Sequence, residues 1–93
     1  MRIWKFPLEL TDTQQINVPL GTKILTAQIK DGEITMWGIV PLVPDCREAE
    51  PLTVEIHGTG TSDRPSEGLT YVGTVQSHAG LFVWHVFIKT EVG

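Results

Sequence analysis

The residues of this chain that are best suited to chemistry begin with His57 and continue through the loop segment GTGTSDR, which ends at Arg64. Glycine allows positive φ, so such a loop can present successive backbone amides to an anion. Hydroxyl groups and one guanidinium add the donors that phosphate favours. The segment therefore predicts a phosphate-binding loop whose ligand-binding residues are His57, Gly58, Thr59, Gly60, Thr61, Ser62 and Arg64. His85, near the end of the chain, is a further candidate ligand-binding residue.

The same segment also fits a turn that binds nothing. A strand that ends in a glycine bulge and enters a surface loop uses glycine and hydroxyl residues for geometric reasons alone. The segment lacks the Gly-Lys-Ser/Thr ending of a P-loop and the glycine spacing of a dinucleotide fingerprint. Both interpretations stay open at the level of the sequence.

Two tryptophans provide candidates for the other half of a nucleotide site. Trp37 and Trp84 carry flat rings on which a base can stack, a contact that contributes about 1 to 3 kcal/mol per base in other proteins. Trp37 is out of phase with the apolar residues of its segment, which predicts an outward position, whereas Trp4 alternates with Phe6 and Leu8 and is predicted to be core. Ordinary core packing is the alternative for Trp37 and Trp84 as well.

The three histidines, His57, His78 and His85, lack the spacing of a zinc site. A nucleophile elbow is missing too. We therefore assign no catalytic residue, no metal ligand and no cofactor, and we expect binding without chemistry. One exception stays open, because His57 and His85 could meet across strands and act as acid and base on a phosphodiester. Two histidines with hydrogen-bonded rings in a sheet are the plainer alternative.

The elements that must position these residues are strands, because apolar and polar residues alternate along most of the chain. Asp31-Gly32 between two alternating segments predicts a tight hairpin, and the last two segments, joined by SHAG, predict a second. The predicted fold is all-β, a compact antiparallel β-sandwich or barrel of about seven short strands in one domain, residues 1–93. The predicted strands are residues 4–10, 15–18, 22–30, 33–42, 52–57, 69–76 and 81–89.

The pattern leaves more apolar surface than one core face needs. The predicted core face leaves Trp37, Ile39 and Val72 on the opposite side, and the last strand is apolar on both sides. Large apolar patches usually mark an interaction site. We therefore expect a homo-oligomer, a dimer or higher, with a second sheet or a ligand as alternative covers. The predicted core face is Leu25, Ala27, Ile29, Ile34, Met36, Val40, Leu69, Tyr71 and Val75.

Composition limits the partners and the compartment. Seven Lys and Arg against eleven Asp and Glu give a net charge of −4, the wrong sign for a protein that neutralises nucleic-acid phosphates, so long DNA or RNA is not expected as a partner. The single cysteine, Cys46, fits a reducing compartment. The first residues contain neither a signal peptide nor a membrane span. These features predict a cytoplasmic protein that does not act at a membrane.

Four sequence blocks, WKFPLELTD, HGTG, LTYVGT and WHVF, resemble those of a family of small uncharacterised domains from phages, prophages and bacteria. The resemblance spans nearly the whole chain, although Thr61 stands where a histidine often follows the family's Gly-Thr-Gly block. The family carries no assigned activity. The resemblance implies a small accessory protein made in the cytoplasm of a bacterial host.

Three functions follow from these features. The first is an anti-defence protein that binds and sequesters a small phosphorylated nucleotide signal without chemistry. The second is a protein inhibitor or accessory virion factor that uses an exposed apolar β face. The third is a small phosphodiesterase that uses His57 and His85.

Overall fold

The computed structural model describes residues 2–41, 48–60, 67–77 and 82–90, and the regular elements in these ranges are seven strands. The predicted all-β fold is confirmed. No helix in the described part of the chain has the length and apolar character that a membrane crossing requires. The strands are β1 Arg2–Pro7, β2 Thr13–Pro19, β3 Lys23–Lys30, β4 Glu33–Val40, β5 Ala49–Gly58, β6 Thr70–Ser77 and β7 Phe82–Thr90.

The strands form two antiparallel sheets, a sandwich-like arrangement rather than a closed barrel. The first sheet has the order β1-β4-β3, and the second has the order β2-β5-β7-β6. β3 lies against β6, where a Cβ added to Gly73 would sit 3.5 Å from the backbone nitrogen and oxygen of Ala27. The core between the sheets consists of Leu8, Val18, Ala27, Ile34, Met36, Leu52, Val54, Ile56, Val75 and Val86.

The hairpin between β3 and β4 forms as predicted. Lys30 pairs with Glu33, and the two residues between them have positive φ, 52° at Asp31 and 81° at Gly32. Positive φ at both central positions defines the turn whose twist matches that of the flanking strands. Ser77 likewise pairs with Phe82, which confirms the pairing of the last two strands.

Two register shifts overturn part of the predicted core face. One lies in β3 at Leu25 and the other in β6 at Val72. An extra residue in one strand reverses the alternation of side chains beyond it. Two residues an even number of positions apart, one on each side of the bulge, therefore point to opposite faces of the sheet. The core prediction was wrong for Leu25, which is 43% exposed, and for Tyr71, which is 57% exposed, whereas Val72 packs against the core instead of facing outward.

The first strand also departs from its prediction. β1 ends at Pro7, so the alternation does not extend to Leu10, which is 62% exposed. Trp4 is 39% exposed and was wrongly predicted to be core. The physical reason is that β1 is an edge strand that pairs with β4 alone, so neighbouring strands cover only one side of it.

Candidate functional site

The outward face of the second sheet brings together the two histidines that the sequence singled out. His57 on β5 lies directly opposite His85 on β7 in the antiparallel register. Val86, the neighbour of His85, is fully buried in the core, so alternation turns His85 away from it. The two histidines thus occupy opposite positions on neighbouring strands, as the predicted meeting across strands requires.

Hydrogen bonds join His85 to hydroxyl groups on both sides of its ring. Nε2 lies 2.7 Å from the Thr59 Oγ1, and Nδ1 lies 3.0 Å from the Thr74 Oγ1. The Thr74 hydroxyl is bonded in turn to the hydroxyl of Tyr71. We call these four residues, Thr59, His85, Thr74 and Tyr71, the histidine–hydroxyl chain.

The register shift in β6 makes this chain of contacts possible. Tyr71 and Thr74 are three residues apart, an odd separation that would put them on opposite faces of a regular strand. The extra residue, Val72, restores them to the same face, where Tyr71 lies opposite Phe87 and Thr74 opposite His85. The same bulge turns Tyr71 out of the core. As a result the Thr74 hydroxyl lies beside His85, and the Tyr71 hydroxyl lies beside that of Thr74.

His57 is held by a different group. Its Nε2 lies 2.9 Å from the Glu55 Oε1, and the side chains are only 14% and 8% exposed. The two residues are two positions apart on β5 and therefore share a face. A carboxylate bonded to one ring nitrogen fixes the orientation of an imidazole. The two histidines thus differ, one bonded to a buried acid and the other to hydroxyls.

Phe87 packs between these two groups. Its ring centroid lies 5.9 Å from that of His57 and 5.7 Å from that of Tyr71, both in edge-on geometry. Edge-to-face contacts at this separation stabilise aromatic pairs. Part of the surplus apolar surface predicted for the last strand is therefore covered by side chains of the sheet's own outward face.

The glycine segment departs from β5 beside this face. Gly60 has a positive φ of 86°, whereas Gly58 remains within β5 and is not among the residues with positive φ. The Thr59 amide donates to the Val83 carbonyl at 3.2 Å. This hydrogen bond continues the pairing of β5 with β7, so the Thr59 amide is not one of the donors of an anion-binding turn. Thr61, Ser62 and Arg64 lie outside the described residues.

The two tryptophans lie on other surfaces. Trp84 points from β7 towards the core and stacks on Phe82, with ring centroids 6.1 Å apart. It lines a cleft of about 390 Å³ near the first hairpin. Trp37, half-buried, lies between Lys5 and Thr26 in the register of the first sheet, on its outward face. The structure thus unites His57, Thr59 and His85 and separates them from both tryptophans.

The sequence patterns did not identify several residues that lie next to the two histidines on this face. Alternation along β5 was sufficient to place Glu55 beside His57, and alternation along β7 was sufficient to place Phe87 beside His85. Tyr71 and Thr74 required knowledge of the bulge. Within the described ranges, no three His, Cys, Asp or Glu side chains are grouped so as to hold a metal ion.

The arrangement is chemically able to bind polar groups and to pass protons. A hydroxyl both donates and accepts, so the histidine–hydroxyl chain can adjust its donors to a ligand at either exposed end, Thr59 or Tyr71. Neither a curated protein nor a solved structure matches the chain. The family model described as "Domain of unknown function (DUF7352)" matches residues 1–93, and the chain belongs to this family of uncharacterised domains.

Proposed function

We propose that this domain binds a small phosphorylated nucleotide on the outward face of its second sheet and holds it without changing it. The observation that supports this most strongly is the position of His85 between the hydroxyls of Thr59 and Thr74. Imidazole and hydroxyl groups are hydrogen-bond donors to phosphate oxygens, and here they converge on one surface. Gly60, with positive φ and open space where a Cβ would lie, lets a ligand approach the adjacent backbone.

Tyr71 supplies the surface for the base in this proposal. Its ring is 57% exposed and is braced by Phe87, so a base can stack on the free side of a ring that is already fixed. The Tyr71 hydroxyl belongs to the histidine–hydroxyl chain, so a base stacked on Tyr71 lies close to a phosphate bound at His85. Trp37 and Trp84 have no part in this binding mode, since they lie on other surfaces.

The biological role that we propose is sequestration of a nucleotide immune signal by a phage-type accessory protein in the bacterial cytoplasm. Its support is the sequence resemblance to phage and prophage domains. A sequestering protein acts in stoichiometric amounts and needs no nucleophile. It is proposed to act as a homo-oligomer, which would cover exposed apolar residues such as Ile3, 61% exposed, and Leu20, 46% exposed.

Two other functions have a specific observation in their favour. The edge strand β1 exposes Ile3 and Trp4, which favours a protein inhibitor or virion factor that pairs through this strand. The adjacency of His57 and His85 favours a phosphodiesterase. The three functions predict different outcomes in one experiment.

That experiment incubates the protein with a panel of cyclic and ADP-ribose-type nucleotides and analyses both bound and released material. The proposed function predicts a ligand that is retained and recovered intact. An altered nucleotide would establish the enzyme, and no retention of any nucleotide would contradict the proposal and favour a protein partner.

A matched pair of variants locates the site. Thr59→Val should weaken binding of the retained nucleotide by about tenfold, the effect of losing one hydrogen bond to a charged group. Thr26→Val, on the outward face of the first sheet, should leave binding unchanged. Equal affinities of these two variants would exclude the histidine–hydroxyl chain as the binding site.

A further inference from the structure

The outer edge of β1, on the side away from β4, carries backbone groups whose directions follow from the strand register. The Leu8 amide donates to the Ile34 carbonyl at 2.9 Å, and these residues lie opposite each other when the β1–β4 register is continued past the end of β1. Hydrogen-bonded and non-hydrogen-bonded positions alternate along an antiparallel pair. Trp4 therefore directs its N–H and C=O towards β4, whereas Ile3 and Lys5 direct theirs outward. Within the described part of the chain β1 pairs with β4 alone, so no strand there accepts these outward groups.

The side chains of this edge are exposed and partly apolar. Ile3 is exposed, and so is Trp4, which lies opposite Gly38 and therefore faces no side chain on β4. The edge strands β3 and β6 lie against each other, whereas β2 has a free edge like that of β1. The exposed residues of β2 are polar, namely Thr13, Gln15 and Asn17. β1 thus gains more from a further strand than β2 does, because pairing would satisfy its backbone groups and also cover apolar surface.

We propose that β1 pairs antiparallel with β1 of a second copy of this chain, across a two-fold axis that passes beside Trp4. Ile3 then lies opposite Lys5 of the partner subunit, and Lys5 lies opposite Ile3 of the partner subunit. Each of these two pairs exchanges two backbone hydrogen bonds. Trp4 and Trp4 of the partner subunit occupy the non-hydrogen-bonded position between them, where facing side chains are closest and aromatic pairs are favourable. The two three-stranded sheets become one continuous sheet.

The sequence of β1 favours this register over its neighbours. A dimer centred on Lys5 would put the two lysines directly opposite each other and would pair Ile3 with Pro7, which has no N–H to donate. A dimer centred on Ile3 would leave Lys5 beyond the end of the partner's β1. Only the dimer centred on Trp4 uses the N–H and C=O of both outward residues on each copy. The edge is thus complementary to itself, as a two-fold interface requires, and this complementarity points to a second copy as the occupant.

This inference deepens the homo-oligomer part of the proposed function and does not depend on the nucleotide site, which lies on the other sheet. One paired strand of six residues is a small interface. Small interfaces are typical of weak association, so we expect a dissociation constant of about 10 µM or weaker. Nucleotide retention by the monomer would leave the binding proposal intact if the dimer failed to form.

Sedimentation equilibrium of two matched proline variants tests the interface. Ile3→Pro removes an outward N–H from each copy without removing a bond to β4, and edge strands tolerate proline. Two hydrogen bonds are lost per dimer, so we expect dimerisation to weaken by about tenfold or more. Asn17→Pro makes the same change on the free edge of β2, since the bond from the Ile56 amide to the Asp12 carbonyl places Asn17 at an outward position. This control should dimerise like the parent protein.

A second measurement on the unchanged protein reads the register directly. In a mixture of ¹³C-labelled and unlabelled protein, isotope-filtered spectra should show a contact between the Hα of Trp4 and the Hα of Trp4 of the partner subunit. A protein that remains monomeric at a concentration of about 1 mM, far above the dissociation constants of specific interfaces, would overturn the proposal and leave β1 to a different protein. A dimer without the Trp4 contact, or one that Asn17→Pro weakens as much as Ile3→Pro, would also overturn it, because the interface would then lie elsewhere.

Discussion

Glu55 is the residue whose removal should most disturb the outward face of the second sheet. It is 6% exposed and accepts a hydrogen bond from His57, whose side chain is 14% exposed. Glu55→Ala leaves this ring nitrogen without its acceptor in a site that water enters poorly, which costs about 1 to 3 kcal/mol. Lost packing of the side-chain methylenes adds about 0.8 kcal/mol for each buried group. We expect the free energy of unfolding to fall by about 2 to 4 kcal/mol.

Urea denaturation followed by tryptophan fluorescence measures this change, and Glu67→Ala, at an exposed position, should change stability by less than about 0.5 kcal/mol. A double-mutant cycle with His57→Ala isolates the contact between the two side chains. We expect a coupling energy of about 1 kcal/mol or more, since the pair is mostly shielded from solvent. A loss below about 0.5 kcal/mol for Glu55→Ala, or a coupling near zero, would refute the description of the pair as a stabilising contact.

Three further substitutions test separate parts of the structure. Gly32→Val should destabilise the protein by about 1 to 2 kcal/mol, because a β-branched residue opposes the φ of 81°, and an unchanged urea midpoint would count against the turn. Met36→Ala, at a fully buried position, should cost about 2 to 5 kcal/mol in the same assay; a loss under about 1 kcal/mol would contradict its central place in the core. Tyr71→Ala should leave stability within about 1 kcal/mol, since the side chain is exposed, yet weaken nucleotide binding in calorimetry by the stacking energy of about 1 to 3 kcal/mol. If Trp37→Ala weakened nucleotide binding as much as Tyr71→Ala, stacking on Tyr71 would not explain the loss of binding.

Local patterns in the sequence were sufficient for the strands and for the Asp31-Gly32 turn, because both depend on neighbouring residues. These patterns also indicated that His57 and His85 could lie on the same face of a sheet, because alternation fixes the side of its strand on which each histidine lies. The order of the strands was not predictable in the same way. β1 pairs with β4 although β2 and β3 lie between them in the chain, and such distant pairings leave no trace in residue alternation.

The errors in the predicted core face at Leu25, Tyr71 and Val72 have one common cause. A bulge is a single extra residue, and neither Leu25 nor Val72 differs in type from an ordinary strand residue. Extending the alternation through them placed Tyr71 in the core, so its contact with Thr74 was missed. The two tryptophans were grouped with the glycine segment by chemistry alone, and the sheet order then placed them on separate surfaces.

The most direct test of the central claim is a nucleotide titration observed at the His85 ring in ¹H–¹⁵N imidazole spectra, with the His57 ring and the Trp37 indole as internal references. We expect one member of the panel of cyclic and ADP-ribose-type nucleotides to shift the His85 signals, Thr59→Val to suppress the shift, and the Trp37 signal to stay in place. If a retained nucleotide leaves His85 unmoved, or if no nucleotide moves it at saturating concentration, the histidine–hydroxyl chain is not a nucleotide site.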